Sequence, residues 1–98
     1  VSRQPESRLQ RKIRKALESA YPGSFWFKVH GGPFQKAGLP DLIGCVRGTF
    51  IALEVKMPGK EPTEVQRFVM SQILSAGGYA GYVTSVEEAI EAINRLMG

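Results

Sequence analysis

The chain has 98 residues, 43% of them apolar and 22% charged, with a net charge of +4. That suits one domain around a modest core, in the ordinary range of a water-soluble globule. No apolar run approaches the roughly 18 residues of a membrane span; the lone Cys45 excludes an internal disulfide, and one cysteine with one histidine, His30, argues against zinc. The N-terminal string has no apolar core of a secretory signal, so the expected compartment is the reducing cytoplasm. Charge is uneven: Arg3, Arg8, Arg11, Lys12, Arg14 and Lys15 stand against Glu6 in the opening stretch, and Glu87, Glu88 and Glu91 against Arg95 at the end. A basic end attracts a polyanion through its phosphates; the same charges also fit a solvated helix face.

Leu9, Ile13, Ala16, Leu17 and Ala20 recur at helical spacing, and Tyr21-Pro22-Gly23 stops that helix. Glu6 falls on the same stripe, where an acid is unexpected. Residues 24–30 (SFWFKVH) alternate as a strand, with Phe25, Phe27 and Val29 on one side and Trp26, Lys28 and His30 on the other. A Gly- and Pro-rich loop covers 31–40. DLIGCV and FIALEVK follow as two strands joined by a turn at 47–49. Thr63 caps a helix whose expected apolar face is Val65, Phe68, Val69, Ile73 and Leu74, ended by Gly77-Gly78. YAGYVT, 79–84, is a further strand. Ser85 and Glu88 form a capping box for a last helix with Val86, Ala89, Ile90, Ile93 and Met97 inward. The helix between the third and fourth strands implies a crossover and a parallel pair, so a mixed α/β sheet is expected in an otherwise antiparallel arrangement.

Charged residues gather at one end of this sheet. Alternation puts Glu54 and Lys56 on one face, and the hairpin brings Asp41 opposite the 54–56 region. Two convergent carboxylates, with the Val55 carbonyl between Glu54 and Lys56, are oxygen donors suited to a hard divalent cation. A lysine beside them can orient a water whose pKa the metal lowers, which is the equipment of metal-assisted phosphodiester hydrolysis. Singly, each residue also fits an exposed charge pair or a turn acid. Jointly, Pro-Asp followed by Glu-x-Lys about a dozen residues on should arise by chance in on the order of one chain in a hundred.

The Pro40-Asp41 and Glu54-Val55-Lys56 pattern resembles the PD-(D/E)XK nuclease superfamily, and more narrowly the VRR-NUC family. Glu6 with Leu9-Gln10, KVHGGPFQKAGLPD, ALEVKMPG, Gln66 and AGGYAGYVTSVEEAI extend the resemblance over nearly the whole chain. It implies one nuclease domain over 1–98, with a restriction-endonuclease-like αβββαβ(α) core whose mixed central sheet is flanked by helices. It also implies that Asp41, Glu54 and the Val55 carbonyl bind Mg²⁺ or Mn²⁺, that Lys56 acts on the attacking water, and that Glu6 and Gln66 complete the catalytic set. Gln66 equally fits a capping box with Thr63, and Glu6 a favourable first-turn acid. Lys28 and His30 are candidate phosphate contacts.

The function expected is a structure-selective DNA endonuclease acting on branched DNA such as four-way junctions. Arg8, Arg11, Lys12 and Lys36 would grip the backbone beside Lys28 and His30, because so small a chain has no separate base-reading helix. By resemblance to Holliday-junction resolvases, which cut in pairs, a homodimer is expected, with Phe34, Met70, Tyr79 and Tyr82 as candidate interface residues. No membrane partner is expected, and so short a domain suggests a bacterial or viral source. A restriction-type or flap endonuclease and a non-catalytic DNA-binding module are the alternatives.

Overall fold

The computed structural model describes residues 4–32 and 36–98. Arg3 and the candidate interface residue Phe34 lie outside the described residues. The elements run α1 (Gln4–Ala20), β1 (Phe25–Lys28), β2 (Leu42–Val46), β3 (Thr49–Val55), α2 (Glu64–Ser75), β4 (Tyr79–Val83) and α3 (Val86–Met97). The strands form one four-stranded sheet in the order β1-β2-β3-β4. β1, β2 and β3 are antiparallel neighbours, and α2 carries the chain over to β4, parallel to β3. The expected α/β class and mixed sheet are borne out. Among the described residues, no helix is long and apolar enough to cross a membrane.

Strand alternation builds two unequal cores. Ile51, Leu53 and Val55 of β3 meet Ile13 and Leu17 of α1 and Ala89 and Ile93 of α3, with Trp26 and Val83 from the outer strands. This is the larger core. On the other face, among the described residues, Ala52, Met70 and Ala80 form a smaller buried apolar cluster, with Ile43 and Ile73 partly buried against it. Gly44 pairs with Trp26 across β1 and β2, and a Cβ there would stand 2.2 Å from the indole. The missing side chain is therefore what lets Trp26 lie on the sheet.

The β2–β3 turn is shorter than expected. Val46 pairs with Thr49, leaving Arg47 and Gly48 as a two-residue loop, both at positive φ. That is the I′ geometry whose twist matches the flanking strands. β1 ends at Lys28, so Val29 and His30 lie beyond the strand, although Val29 N–H still donates to the Asp41 carbonyl at 2.8 Å.

The face of α2 differs most from expectation. Val65, Phe68 and Leu74 are exposed, while Val69 and Met70 are buried. The inward stripe is Gln66, Val69, Met70 and Ile73, a regular i, i+3, i+4, i+7 set whose first member is polar. Skipping Gln66 rotated the expected face away from the sheet. Met70, buried under α2, is thereby withdrawn as an interface residue. The cap of α3 also differs: Ser85 Oγ accepts from Glu88 N–H, but the Glu88 carboxylate accepts from the Thr84 N–H at 2.6 Å instead of from Ser85.

Candidate active site

The Leu42–Leu53 pairing carries Asp41 opposite Glu54 at the end of the β2–β3 ladder. Asp41 Oδ2 accepts the Val55 N–H at 2.8 Å, so its carboxylate takes a position that a strand partner would otherwise fill. Its backbone carbonyl meanwhile accepts from Val29. The acid is thus tied to β3 through its side chain and to the end of β1 through its backbone.

Glu54 is 3% exposed, one of two buried polar side chains among the described residues. Its Oε2 accepts from Gln66 Nε2 at 2.9 Å and lies 3.4 Å from Lys56 Nζ. Its Oε1 is buried with no hydrogen-bond partner. A buried carboxylate oxygen left unpaired is costly, and such an atom asks for a cation or a proton. Burial, followed by the negative charge of Asp41, lifts the Glu54 pKa to about 7, and the Lys56 ammonium offsets only part of this. Asp41 is also raised, chiefly by burial; the Val55 N–H opposes that rise and the Glu6 charge adds to it. Two carboxyl groups held this close resist double ionisation unless positive charge joins them.

The two readings of Gln66 are both present. Its Oε1 accepts the Thr63 N–H at 2.9 Å and its own N–H reaches Thr63 Oγ1, completing the capping box. The other end of the same amide holds Glu54.

On the α1 side of the same sheet end lies a polar cavity of about 380 Å³, with Glu6, Gln10, Lys28, His30 and Asp41 among its lining residues. Glu6 is half-buried in the first turn of α1, near enough for its charge to raise both Asp41 and Glu54. Among the described residues, however, no three His, Cys, Asp or Glu side chains cluster closely enough to hold a metal. The acids brought together are Asp41 and Glu54, with Glu6 in the lining of the adjoining cavity.

Gln10 is the polar residue that the sequence reading left without a role. It is buried on the inner stripe of α1, its Oε1 has no partner, and it lines the cavity. The signal was present, since Gln10 follows Glu6 by four residues and precedes Leu17 by seven on the Glu6–Ile13–Leu17 stripe.

The basic candidates divide. Lys28 and His30 line the cavity. Arg8 and Arg11 line a neighbouring shallow hollow of about 280 Å³ with Gln4 and Ser7, and Ser7 is shared between the two. Lys12 and Lys36 are exposed and line neither. A hollow of about 410 Å³ between β4 and α3 is larger, with Glu88 and Arg95 in its lining. There Glu88 is engaged by Thr84 and Glu91, which also lines it, by Arg95, so both acids already have partners. The polar cavity beside Asp41 is the better site.

No protein-family model matches the chain, and no curated protein sequence matches it. Among solved structures, a chain described as a VRR_NUC domain matches with a TM-score of 0.75 and 23% sequence identity, covering 91% of this chain and 94% of that one. The helix–sheet–helix layout, the crossover through α2 and the resemblance read from the Pro-Asp and Glu-Val-Lys motifs agree with that likeness. The chain has the fold of a VRR_NUC domain.

Proposed function

We propose that the chain is a nuclease domain that hydrolyses phosphodiester bonds in DNA with Mg²⁺ or Mn²⁺, acts on branched substrates such as the four-way junction, and works as a homodimer. The observation carrying the reading is Glu54, buried beside a second acid with one oxygen unpartnered and its pKa raised to about 7. The description of the structurally similar chain names a nuclease domain, which supports the same reading.

Asp41, Glu54 and the Val55 carbonyl would hold the divalent ion. Bound there, it supplies positive charge for a phosphate oxygen and lowers the pKa of a water. The chain's own residues do the rest. Gln66 ties Oε2 of Glu54 to α2 and so fixes the orientation of the carboxylate. Lys56, held 3.4 Å from that oxygen, orients the attacking water and balances the charge that builds on the phosphoryl oxygens. Glu6 faces the cavity, where it can accept a hydrogen bond from water. Lys28 and His30 are placed to meet the phosphate, and Arg8 and Arg11 the flanking backbone.

The test is cleavage of matched four-way junction, flap and linear duplex DNA with Mg²⁺, Mn²⁺ or EDTA, beside Asp41→Ala. Paired cuts across the junction, lost with EDTA and in the variant, are expected. Metal-dependent cutting of flaps or linear DNA alone would keep the nuclease and discard the junction preference. Sequence-restricted cuts in linear duplex would indicate a restriction-type enzyme. Tight binding with no cutting under either metal would overturn the enzymatic reading.

A further inference from the structure

β1, β2 and β3 are only partly covered on the side that α2 occupies. α2 lies over Ala52 and Ala80, and its stripe leaves the β1 side of the sheet open. Across that open region Phe25 pairs with Cys45 and Cys45 with Phe50, while Phe27 pairs with Ile43 in the adjoining row. The Phe25 and Phe27 rings are 5.8 Å apart, and the Phe50 ring lies against Gly78, just past the end of α2. Phe25 is 62% exposed, Phe27 44%, Phe50 45%, and Phe68 on the outer flank of α2 62%. Cys45 is exposed between them.

We propose that this face is the contact surface for a second copy of the chain, met through a two-fold axis. The proposal deepens the dimeric part of the function above and does not depend on its metal chemistry.

Area and charge both point to a copy of the same chain. With Val65, the four phenylalanines expose about 500 Å² of apolar surface, taking roughly 200 Å² for a whole ring side chain. That is at the upper end of what a monomer leaves bare, about 300–600 Å². A stable interface needs about 800 Å² on each partner, and homodimer interfaces are about 65% apolar, so the patch supplies nearly the required amount. The strand residues of this face carry no charge from Phe25 and Phe50 as far as Glu54. Among the described strand residues of this face a nucleic acid would find no cation, and an acidic or basic partner no complement. A neutral apolar face, by contrast, meets its own copy without like-charge repulsion, which an isologous contact requires. β3 runs from Phe50 in this face to Glu54 at the candidate site, about 13 Å along the strand. Pairing through it would put two sites on one assembly.

The test is sedimentation of the full chain, without DNA or metal, at micromolar concentrations. Wild type is expected to dimerise. Phe27→Glu combined with Phe50→Glu should weaken the dimer at least about a hundredfold while leaving the circular dichroism spectrum and the cooperative melt in place. Leu74→Glu, an equally exposed apolar site on α2, should leave the dimer intact. Thiol labelling gives a readout without substitution: Cys45 of wild type should react more slowly as concentration rises through the dimerisation range. A monomeric wild type would overturn the proposal. So would a dimer that survives the double substitution, is broken by Leu74→Glu, or leaves Cys45 labelling independent of concentration. A monomeric wild type would also remove the homodimer from the function proposed above. A dimer held by another face would overturn this proposal alone, and metal-dependent hydrolysis is tested separately by the junction assay.

Discussion

The Gln66 amide nitrogen donates to Glu54 Oε2 at 2.9 Å while its oxygen caps α2 through the Thr63 N–H. One side chain thus fixes both the start of a helix and the orientation of a buried acid. Shortening it should harm both. Gln66→Ala is expected to cost about 1 kcal/mol of stability through the lost cap and to reduce divalent-ion affinity or cleavage by about 10–100-fold through the freed carboxylate. Urea unfolding and metal titration on the same protein separate the two. A stability loss with unchanged metal affinity would show that Gln66 is only a cap.

Glu54 and Asp41 make the metal-free fold sensitive to pH. Both are acids whose folded pKa lies above the ordinary value, Glu54 moving from 4.5 to about 7. The folded state therefore binds the proton more tightly than the unfolded chain. Their contribution is complete below the ordinary carboxylate range and is lost as pH rises through about 7. In EDTA, the melting temperature should fall between about pH 5 and about pH 8, and Glu54→Gln should flatten that fall. Saturating Mg²⁺ should restore stability at the alkaline end, where both acids are ionised. A melting temperature that rises across the same range would contradict the burial account.

Lys56 is half-buried and paired with Glu54. Lys56→Ala should reduce the cleavage rate by at least about a hundredfold, the range expected of a group acting on a proton or developing charge. DNA binding, read by filter retention or anisotropy, should stay within a few-fold. Loss of folded protein would instead assign Lys56 to a structural ion pair.

Arg8 and Arg11 flank the cavity through a hollow of their own. Replacing either with Ala should weaken DNA binding similarly for all sequences and reduce the salt slope by roughly one. Affinity measured across a salt series checks this; an unchanged slope would remove them from the backbone contact.

Gly44 tests the packing. Its Cβ would stand 2.2–2.5 Å from the Trp26 ring, so Gly44→Ala should destabilise the fold by roughly 1–3 kcal/mol. The denaturation midpoint should drop with little change in slope. A neutral effect would mean that Trp26 has room to move.

Much of this arrangement was legible before any coordinates. Period-two alternation in FIALEVK put Glu54 and Lys56 on one face, and a short turn after Val46 brought Asp41 near Glu54, although the turn is Arg47-Gly48 where 47–49 was expected. Those are local signals, and they propagate along a ladder without ambiguity. α2 failed because apolarity alone chose its face: Phe68 and Val65 are more hydrophobic than Gln66, yet Gln66 turns inward because a buried acid awaits it. Gln10 was passed over for the same reason. The extent of the aromatic face depends on where α2 settles across the sheet, which no periodicity specifies. Whether Glu6 approaches the carboxylates depends on how α1 docks, and it docks with Glu6 in the cavity lining, close enough for its charge to act on both.

The central claim is that Asp41 and Glu54 together hold a divalent ion, and calorimetric titration of the metal-free protein with Mn²⁺ and Mg²⁺ near neutral pH tests it most directly. Wild type should show binding with proton release, because Glu54 titrates near 7 and must ionise to ligate. Asp41→Asn and Glu54→Gln should each abolish that event while remaining folded. Equal binding in wild type and both variants, or no binding in wild type with intact folded protein, would contradict the account.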